Sequence, residues 1–173
     1  MPAGLASHSG KAARPRVLLT DYPWPDCEVE RKIVEAAGFE LVTGPRAAAP
    51  AGEIAALAAA QDPVAILTCW APVSAEAIAA PTDLRIVARM GVGLDNIDIA
   101  ATPARRAWVT NVPDYCIAEV SAHALALMLA WVRGVVVLDR EVKQGLWQPG
   151  GAKVARFRAL TVGLVGLGRI GRM

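Results

Sequence analysis

Short, uninterrupted apolar runs alternate along this chain with segments whose apolar residues recur at helical spacing. The runs are rich in Val, Ile and Leu and lack the polar alternation of a half-exposed strand, which indicates strands buried on both faces. They predict strands at residues 16–20, 39–42, 64–68, 84–89 and 108–112. Because strands that alternate with helices in this way form βαβ units, we predict an α/β fold with a parallel sheet.

Local signals place the helix boundaries. Gly38 follows the apolar positions of the first helix and is expected to end it in the left-handed conformation. Ser74 is expected to cap a short helix, and Asp95 or Asn96 the next one. Two further helices are predicted at residues 117–133 and 136–145. The uncharged stretch 120–132 is shorter than the roughly 20 residues of a membrane span, so it predicts a buried helix.

A second layer is predicted to begin after residue 112. Residues 14–112 hold the five strands and form a flavodoxin-like or Rossmann-like parallel sheet. Leu160-Thr-Val-Gly-Leu-Val165 is a sixth apolar run, which predicts the first strand of another layer. The chain is therefore expected to comprise a disordered tail at 1–13, one domain at 14–112 and the beginning of a second, incomplete domain at 113–173.

Composition and charge limit which binding partners and which cellular compartment are expected. The net charge is +2, and the Lys and Arg residues form no run, so we expect no nucleic-acid partner. The chain has three cysteines, far apart, in neither a disulfide framework nor a zinc pattern. They are expected to be reduced, small buried thiols. With no apolar leader among the first residues and no membrane partner expected, the predicted location is cytoplasmic.

The sixth apolar run leads directly into Gly166-Leu-Gly168-Arg-Ile-Gly171, a G-x-G-x-x-G turn. Between a strand and a helix, the first glycine permits the tight turn, the second lets the backbone approach a pyrophosphate, and the third lets the helix pack closely. The context predicts a dinucleotide site and makes residues 113–173 the start of a truncated Rossmann domain. The acidic residue expected about 20 residues further on, which would hold the ribose, does not occur in the chain.

A second glycine loop follows the fourth predicted strand. Arg89-Met-Gly-Val-Gly-Leu-Asp-Asn-Ile-Asp98 places two glycines at the carboxyl end of a parallel strand, where open α/β sheets bind their ligands. Backbone N–H groups freed there can point at an anion. A plain tight turn explains the same residues equally well.

At this point the sequence resembles the D-isomer-specific 2-hydroxyacid dehydrogenases. The 89–98 segment is similar to that family's substrate loop, and the helix Ala118-Glu-Val-Ser-Ala-His-Ala-Leu-Ala-Leu127 and the glycine turn follow in the family's order. Asp21-Tyr and Val112-Pro-Asp-Tyr-Cys116 resemble the branch related to C-terminal-binding proteins, and D-3-phosphoglycerate dehydrogenase is another close relative.

The resemblance implies roles for individual residues. Arg89, Gly91, Val92 and Gly93 would bind the substrate, with Val92 also near the nicotinamide end of the cofactor. The residues that would hold the cofactor pyrophosphate are Gly166, Gly168, Arg169, Ile170 and Gly171.

The resemblance also implies an activity. The family transfers hydride between C2 of a small 2-hydroxy or 2-keto acid and a nicotinamide cofactor, expected to be NAD, with NADP as the alternative. Residues 14–112 would be the N-terminal part of its substrate domain, 113–173 the start of its NAD-binding domain, and the intact protein a homodimer. The chain is expected to be an N-terminal fragment, inactive alone, because the family's catalytic arginine, glutamate and histidine match no position in it.

No catalytic or metal-ligating residue is therefore assigned. His123 lies inside an apolar helix and has no placed carboxylate partner, so it is not a candidate general base. A non-catalytic, NAD-sensing binding module of the corepressor-like type, as in C-terminal-binding proteins, is the alternative function.

Overall fold

The computed structural model describes residues 13–148, 150–151 and 154–173. Residues 1–12, in which most of the predicted tail falls, lie outside the described residues. The chain divides into two compact units, Met1–Pro113 and Asp114–Met173. The assignment of these regions to a substrate domain and a cofactor domain stays a prediction.

Strands and helices alternate throughout the first unit, as the apolar runs predict. The elements are β1 (Arg16–Leu19), α1 (Glu28–Ala36), β2 (Glu40–Thr43), α2 (Ala51–Gln61), β3 (Ala65–Thr68), α3 (Ala75–Ala79), β4 (Ile86–Arg89), a 3₁₀ turn (Ile99–Ala101), α4 (Thr102–Arg105) and β5 (Trp108–Thr110).

The five strands form one parallel sheet in the order β2-β1-β3-β4-β5. This is the doubly wound order in which helices cover both faces and ligands bind beyond the carboxyl ends of the strands. The α/β class with a parallel sheet is thus confirmed. In the pairing of β3 with β4, Thr68 lies opposite Arg89 at the carboxyl ends of the two strands. The segments that follow these strands therefore begin next to each other.

Both faces of the sheet are buried, which is why the strand sequences lack alternation. Leu18, Ile66 and Val87 pack into the larger apolar cluster on one face. Val17 and Leu19 point the other way and pack with Leu41.

Two of the predicted helix signals are confirmed, and a third is wrong. Gly38 has φ +90° after α1, and the Ser74 hydroxyl oxygen accepts a hydrogen bond from the Ala77 N–H at 3.4 Å. Neither Asp95 nor Asn96 caps a helix, because the next turn begins only at Ile99 and has no side-chain cap. The Asn96 side chain instead contacts the segment after β3, as described below.

The second unit contains helices α5 (Ile117–Val132), α6 (Val135–Lys143) and α7 (Arg169–Arg172), with a 3₁₀ turn at Phe157–Ala159. The expectation that α5 is buried is wrong: only Ser121 and Val132 of this helix are buried. Residues 124–132 of this helix are all apolar, and the described parts of its own unit cover little of that surface.

The predicted strand at Leu160–Val165 is also wrong for this structure. These residues are exposed and form no regular element. Within the described part of the second unit no segment forms a strand, so the backbone N–H groups of 160–165 have no neighbouring strand to bond. Apolar content alone does not make a parallel strand; a neighbouring strand must also be there to hydrogen-bond with it.

Among the described residues, no single helix is long and apolar enough to cross a membrane. The bent pair α5 and α6 meets that requirement jointly, by length and composition only.

Candidate functional site

Residues 91–93, predicted to bind the substrate and called the acid loop below, lie beyond the carboxyl end of β4. Its carbonyl groups are engaged by the segment after β5: the Gly91 carbonyl accepts from the Val112 N–H at 3.0 Å, and the Val92 carbonyl from Asn111 Nδ2 at 2.8 Å. Among the described residues, the N–H groups of Gly91, Val92 and Gly93 donate to no protein acceptor. The loop is therefore held from behind by its carbonyls while its donors stay available to an anion.

Arg89 adds a cation to this loop. A Cβ atom placed on Gly91 would lie 2.8 Å from Nη1 and 3.1 Å from Cζ of Arg89, so the guanidinium lies directly against the glycine. Arg89 Nε is buried and has no hydrogen-bond partner among the described groups. A guanidinium beside free amides is suited to a carboxylate. The structure thus brings together all four residues predicted to bind substrate.

A buried carboxylate that the sequence analysis missed organises the neighbouring loop. Asp21, directly after β1, is fully buried and accepts hydrogen bonds from the N–H groups of Cys69, Trp70 and Ala71 at 3.1, 2.9 and 3.2 Å. The Thr20 hydroxyl donates to the same carboxylate at 2.7 Å. The signal in the sequence was an aspartate at the carboxyl end of a buried strand, but its partners depend on β1 and β3 being neighbours.

Asn96 ties this loop to the acid loop. Its Nδ2 donates to the Ala71 carbonyl at 3.0 Å and lies 3.4 Å from Thr68 Oγ1, which itself donates to Ala71 at 2.8 Å. Residues 20–21, 68–71 and 89–96, together called the carboxyl edge below, thus form one hydrogen-bonded surface at the ends of β1, β3 and β4.

The buried thiol on this edge is not a nucleophile. Burial raises the pKa of Cys69 to about 11, and the negative charge of Asp21 acts in the same direction. The group is therefore a neutral thiol at physiological pH, and thiols react as thiolates.

Alkylation of the folded chain with iodoacetamide at pH 8 should modify Cys116 well before Cys69. Cys116 is half-buried, whereas Cys69 is buried and its raised pKa keeps the thiolate fraction small. Peptide mass mapping over time measures both rates, and the same reaction in denaturant, where the two should react alike, is the control. Equal rates in the folded chain would contradict the buried, protonated thiol.

The glycine turn in the second unit has the backbone that a dinucleotide site needs. Gly166 has φ +96°, which favours glycine, and a Cβ on Gly171 would collide with the Gly166 carbonyl oxygen. A Cβ at Gly166 or Gly168 would meet nothing within 4 Å, so the backbone there is open to approach. The turn fits a pyrophosphate on this evidence.

Two side chains of this turn are exposed. Ile170 is 43% exposed, and Arg169 forms an ion pair with Asp114 of the same unit. Gly168 precedes the first residue of α7, as the motif requires. The five residues predicted to hold the cofactor pyrophosphate therefore lie together in one turn of the second unit. Val92, predicted to lie near the nicotinamide, belongs to the first unit.

His123 is exposed on α5. Within the described ranges no cluster of three or more His, Cys, Asp or Glu side chains could hold a metal ion.

Comparison with known proteins defines the class. Residues 17–162 match the family model described as D-isomer specific 2-hydroxyacid dehydrogenase, catalytic domain. The chain belongs to this family. The chain is 44% identical over 101 residues to D-3-phosphoglycerate dehydrogenase of Mycobacterium tuberculosis, and 38% over 104 residues to glyoxylate reductase of Korarchaeum cryptofilum; each alignment covers 58% of this chain.

A solved relative shares the fold. The NADPH-dependent glyoxylate/hydroxypyruvate reductase of Sinorhizobium meliloti, crystallised with citrate, superposes with a TM-score of 0.71 at 33% identity over 92% of this chain. The chain spans about half of that relative (48%) and 19% and 31% of the two curated relatives. These relatives are named as dehydrogenases and reductases and lend no support to the corepressor-like alternative.

Proposed function

We propose that this chain supplies the acid-binding loop of a dehydrogenase that transfers hydride between a small 2-hydroxy or 2-keto acid and a nicotinamide cofactor. The observation that carries the proposal is the set of free N–H groups at residues 91–93 beside the Arg89 guanidinium. This arrangement matches the carboxylate that every 2-hydroxy acid has. Hydride transfer itself is proposed not for the 173-residue chain alone but for a protein as long as the family relatives.

The proposed cofactor is NAD, with NADP as the alternative. When bound, either would accept or donate the hydride through its nicotinamide ring. The pyrophosphate would be held by the turn from Gly166 to Gly171, whose open backbone supports this assignment. One relative, from S. meliloti, was crystallised with NADP and malonate at 34% identity. The expected homodimer and the cytoplasmic location stay predictions.

The acid site can be tested by binding alone. In an NMR titration of the ¹⁵N-labelled chain with glyoxylate, the amide signals of Gly91, Val92 and Gly93 should move together and saturate. Gly91→Ala should weaken this binding about tenfold or more, because the new Cβ displaces the Arg89 guanidinium that pairs with the carboxylate.

Gly52→Ala is the matched control. Gly52 lies in α2 with no atom within 4 Å of an added Cβ, so affinity should not change. Absence of any shift at residues 91–93 would overturn the proposed function.

A further inference from the structure

An aromatic side chain is exposed on the loop of the carboxyl edge that Asp21 holds by hydrogen bonds. Trp70 is 58% exposed, although its backbone N–H is fixed at 2.9 Å by the buried Asp21 carboxylate. The residues on either side are also fixed, since Cys69 and Ala71 donate to the same carboxylate and are themselves buried. An indole exposed on backbone that is fixed by hydrogen bonds is a preorganised contact surface, because less conformational entropy is lost when a ligand packs on it.

The position of this tryptophan is set by the sheet register. Thr68 and Arg89 are paired across β3 and β4, and the Met90 N–H donates to the Thr68 carbonyl at 2.8 Å just beyond them. Trp70 and Gly91 therefore follow adjacent strand ends. Asn96 joins the two loops through the Ala71 carbonyl. The indole-bearing loop and the anion-binding loop are neighbours on one hydrogen-bonded surface.

The other exposed groups on these two loops are apolar or acidic: Asp95 is exposed, and a Cβ placed on Gly93 would lie 2.7 Å from its Oδ1. Val92 is 44% exposed on the acid loop, and Met90 is half-buried beside it. The Arg89 guanidinium lies against Gly91, where the carboxylate of an acid would bind. Arg46, on the side of the sheet that carries β2, donates to the Trp24 carbonyl at 3.0 Å and lies over the Tyr22 ring. The groups that these loops offer to the remainder of an acid are thus an indole, aliphatic side chains and the Asp95 carboxylate, and none of these groups is cationic.

We propose that Trp70 is a specificity-determining residue that favours 2-keto and 2-hydroxy acids with an apolar or aromatic side chain at C3 over phosphorylated or short ones. The inference rests on the proposed function, in that the 91–93 loop must first hold the acid carboxylate. A phosphoryl group placed against Trp70 and Val92 would lose hydration without gaining a cationic partner there. An aromatic side chain would stack on the indole and bury apolar surface.

The test compares three ligands on the ¹⁵N-labelled 173-residue chain: phenylpyruvate, glyoxylate and 3-phosphoglycerate. The indole N–H signal of Trp70, identified by its loss in Trp70→Phe, should shift with phenylpyruvate and stay in place with glyoxylate. Phenylpyruvate should bind about tenfold more tightly than either of the other acids.

Two variants at Trp70 distinguish the loss of the indole contact from a loss of folding. Trp70→Ala should weaken phenylpyruvate binding about tenfold and glyoxylate binding less than about twofold, whereas Trp70→Phe should retain most of the phenylpyruvate affinity. Trp108→Phe is the matched control. Trp108 is 76% exposed but is the first residue of β5, so it lies at the amino ends of the strands and not at the carboxyl edge, and its loss should change neither affinity.

The outcomes separate the two proposals. Failure of every acid to move the amides of residues 91–93 would overturn the proposed function. Binding at those amides with equal affinity for phenylpyruvate and glyoxylate, or tighter binding of 3-phosphoglycerate, would overturn the role of Trp70 alone. An unmoved Trp70 indole signal in the wild-type chain would do the same, even if Trp70→Ala failed to fold.

Discussion

Replacing Asp21 by alanine is expected to lower the free energy of unfolding of the first unit by about 3–5 kcal/mol. The carboxylate is fully buried, and it is the acceptor for three consecutive backbone N–H groups and one hydroxyl. Alanine removes the acceptor and leaves the three backbone N–H groups without their partner, whereas the Thr20 hydroxyl still has the Leu67 carbonyl at 3.2 Å. The cost of orphaned buried donors exceeds the modest net gain of making each hydrogen bond, which is why one substitution has so large an effect.

Urea unfolding followed by far-UV circular dichroism measures this loss for the first unit. Asp21→Asn should fall between wild type and Asp21→Ala, because the amide keeps one acceptor oxygen but turns an NH₂ toward the backbone donors. Asp83→Asn is the matched control: Asp83 is exposed and pairs with Arg85, and its replacement should cost less than about 1 kcal/mol. A loss of that small size for Asp21→Ala would show that the loop holds itself without the carboxylate.

The sequence predicted the first unit well because its signals are local. Each strand is a continuous apolar run, since burial on both faces of a parallel sheet demands it, and Gly38 and Ser74 mark helix ends through their own backbone and side-chain chemistry. The residues of the acid loop could likewise be named, because glycines at a strand end are visible in the sequence.

The side-chain contacts that could not be predicted from the sequence depend on which strands become neighbours. Asp21 and the 69–71 loop are far apart in the chain, and only the order β2-β1-β3-β4-β5 brings them together. Asp95 or Asn96 was expected to cap a helix because both residue types often do, but the Asn96 side chain donates to the Ala71 carbonyl instead. A side chain with several possible partners cannot be assigned before the topology is known.

In the second unit, the burial of whole elements could not be predicted, because it too depends on which elements become neighbours. α5 and residues 160–165 have the apolar content of buried elements, yet both are largely exposed in this chain. Burial is a property of a surface together with what covers it, and composition describes only the surface. The apolar groove between α5 and α6, with a volume near 250 Å³ and lined by Leu127, Trp131 and Val136, is a further part of this exposed surface.

In the isolated 173-residue chain, backbone amides of residues 160–165 should exchange with deuterium at least about a thousandfold faster than those of β1 and β3. The former have no strand to bond, whereas Leu18 and Ile66 are buried and hydrogen-bonded on both sides within the sheet. Exchange read by NMR or by peptide mass compares the two regions in one sample, so the sheet amides serve as the internal control. Protection at 160–165 equal to that of the sheet, measured at a dilution where the chain is monomeric, would mean that these residues pair as a strand after all.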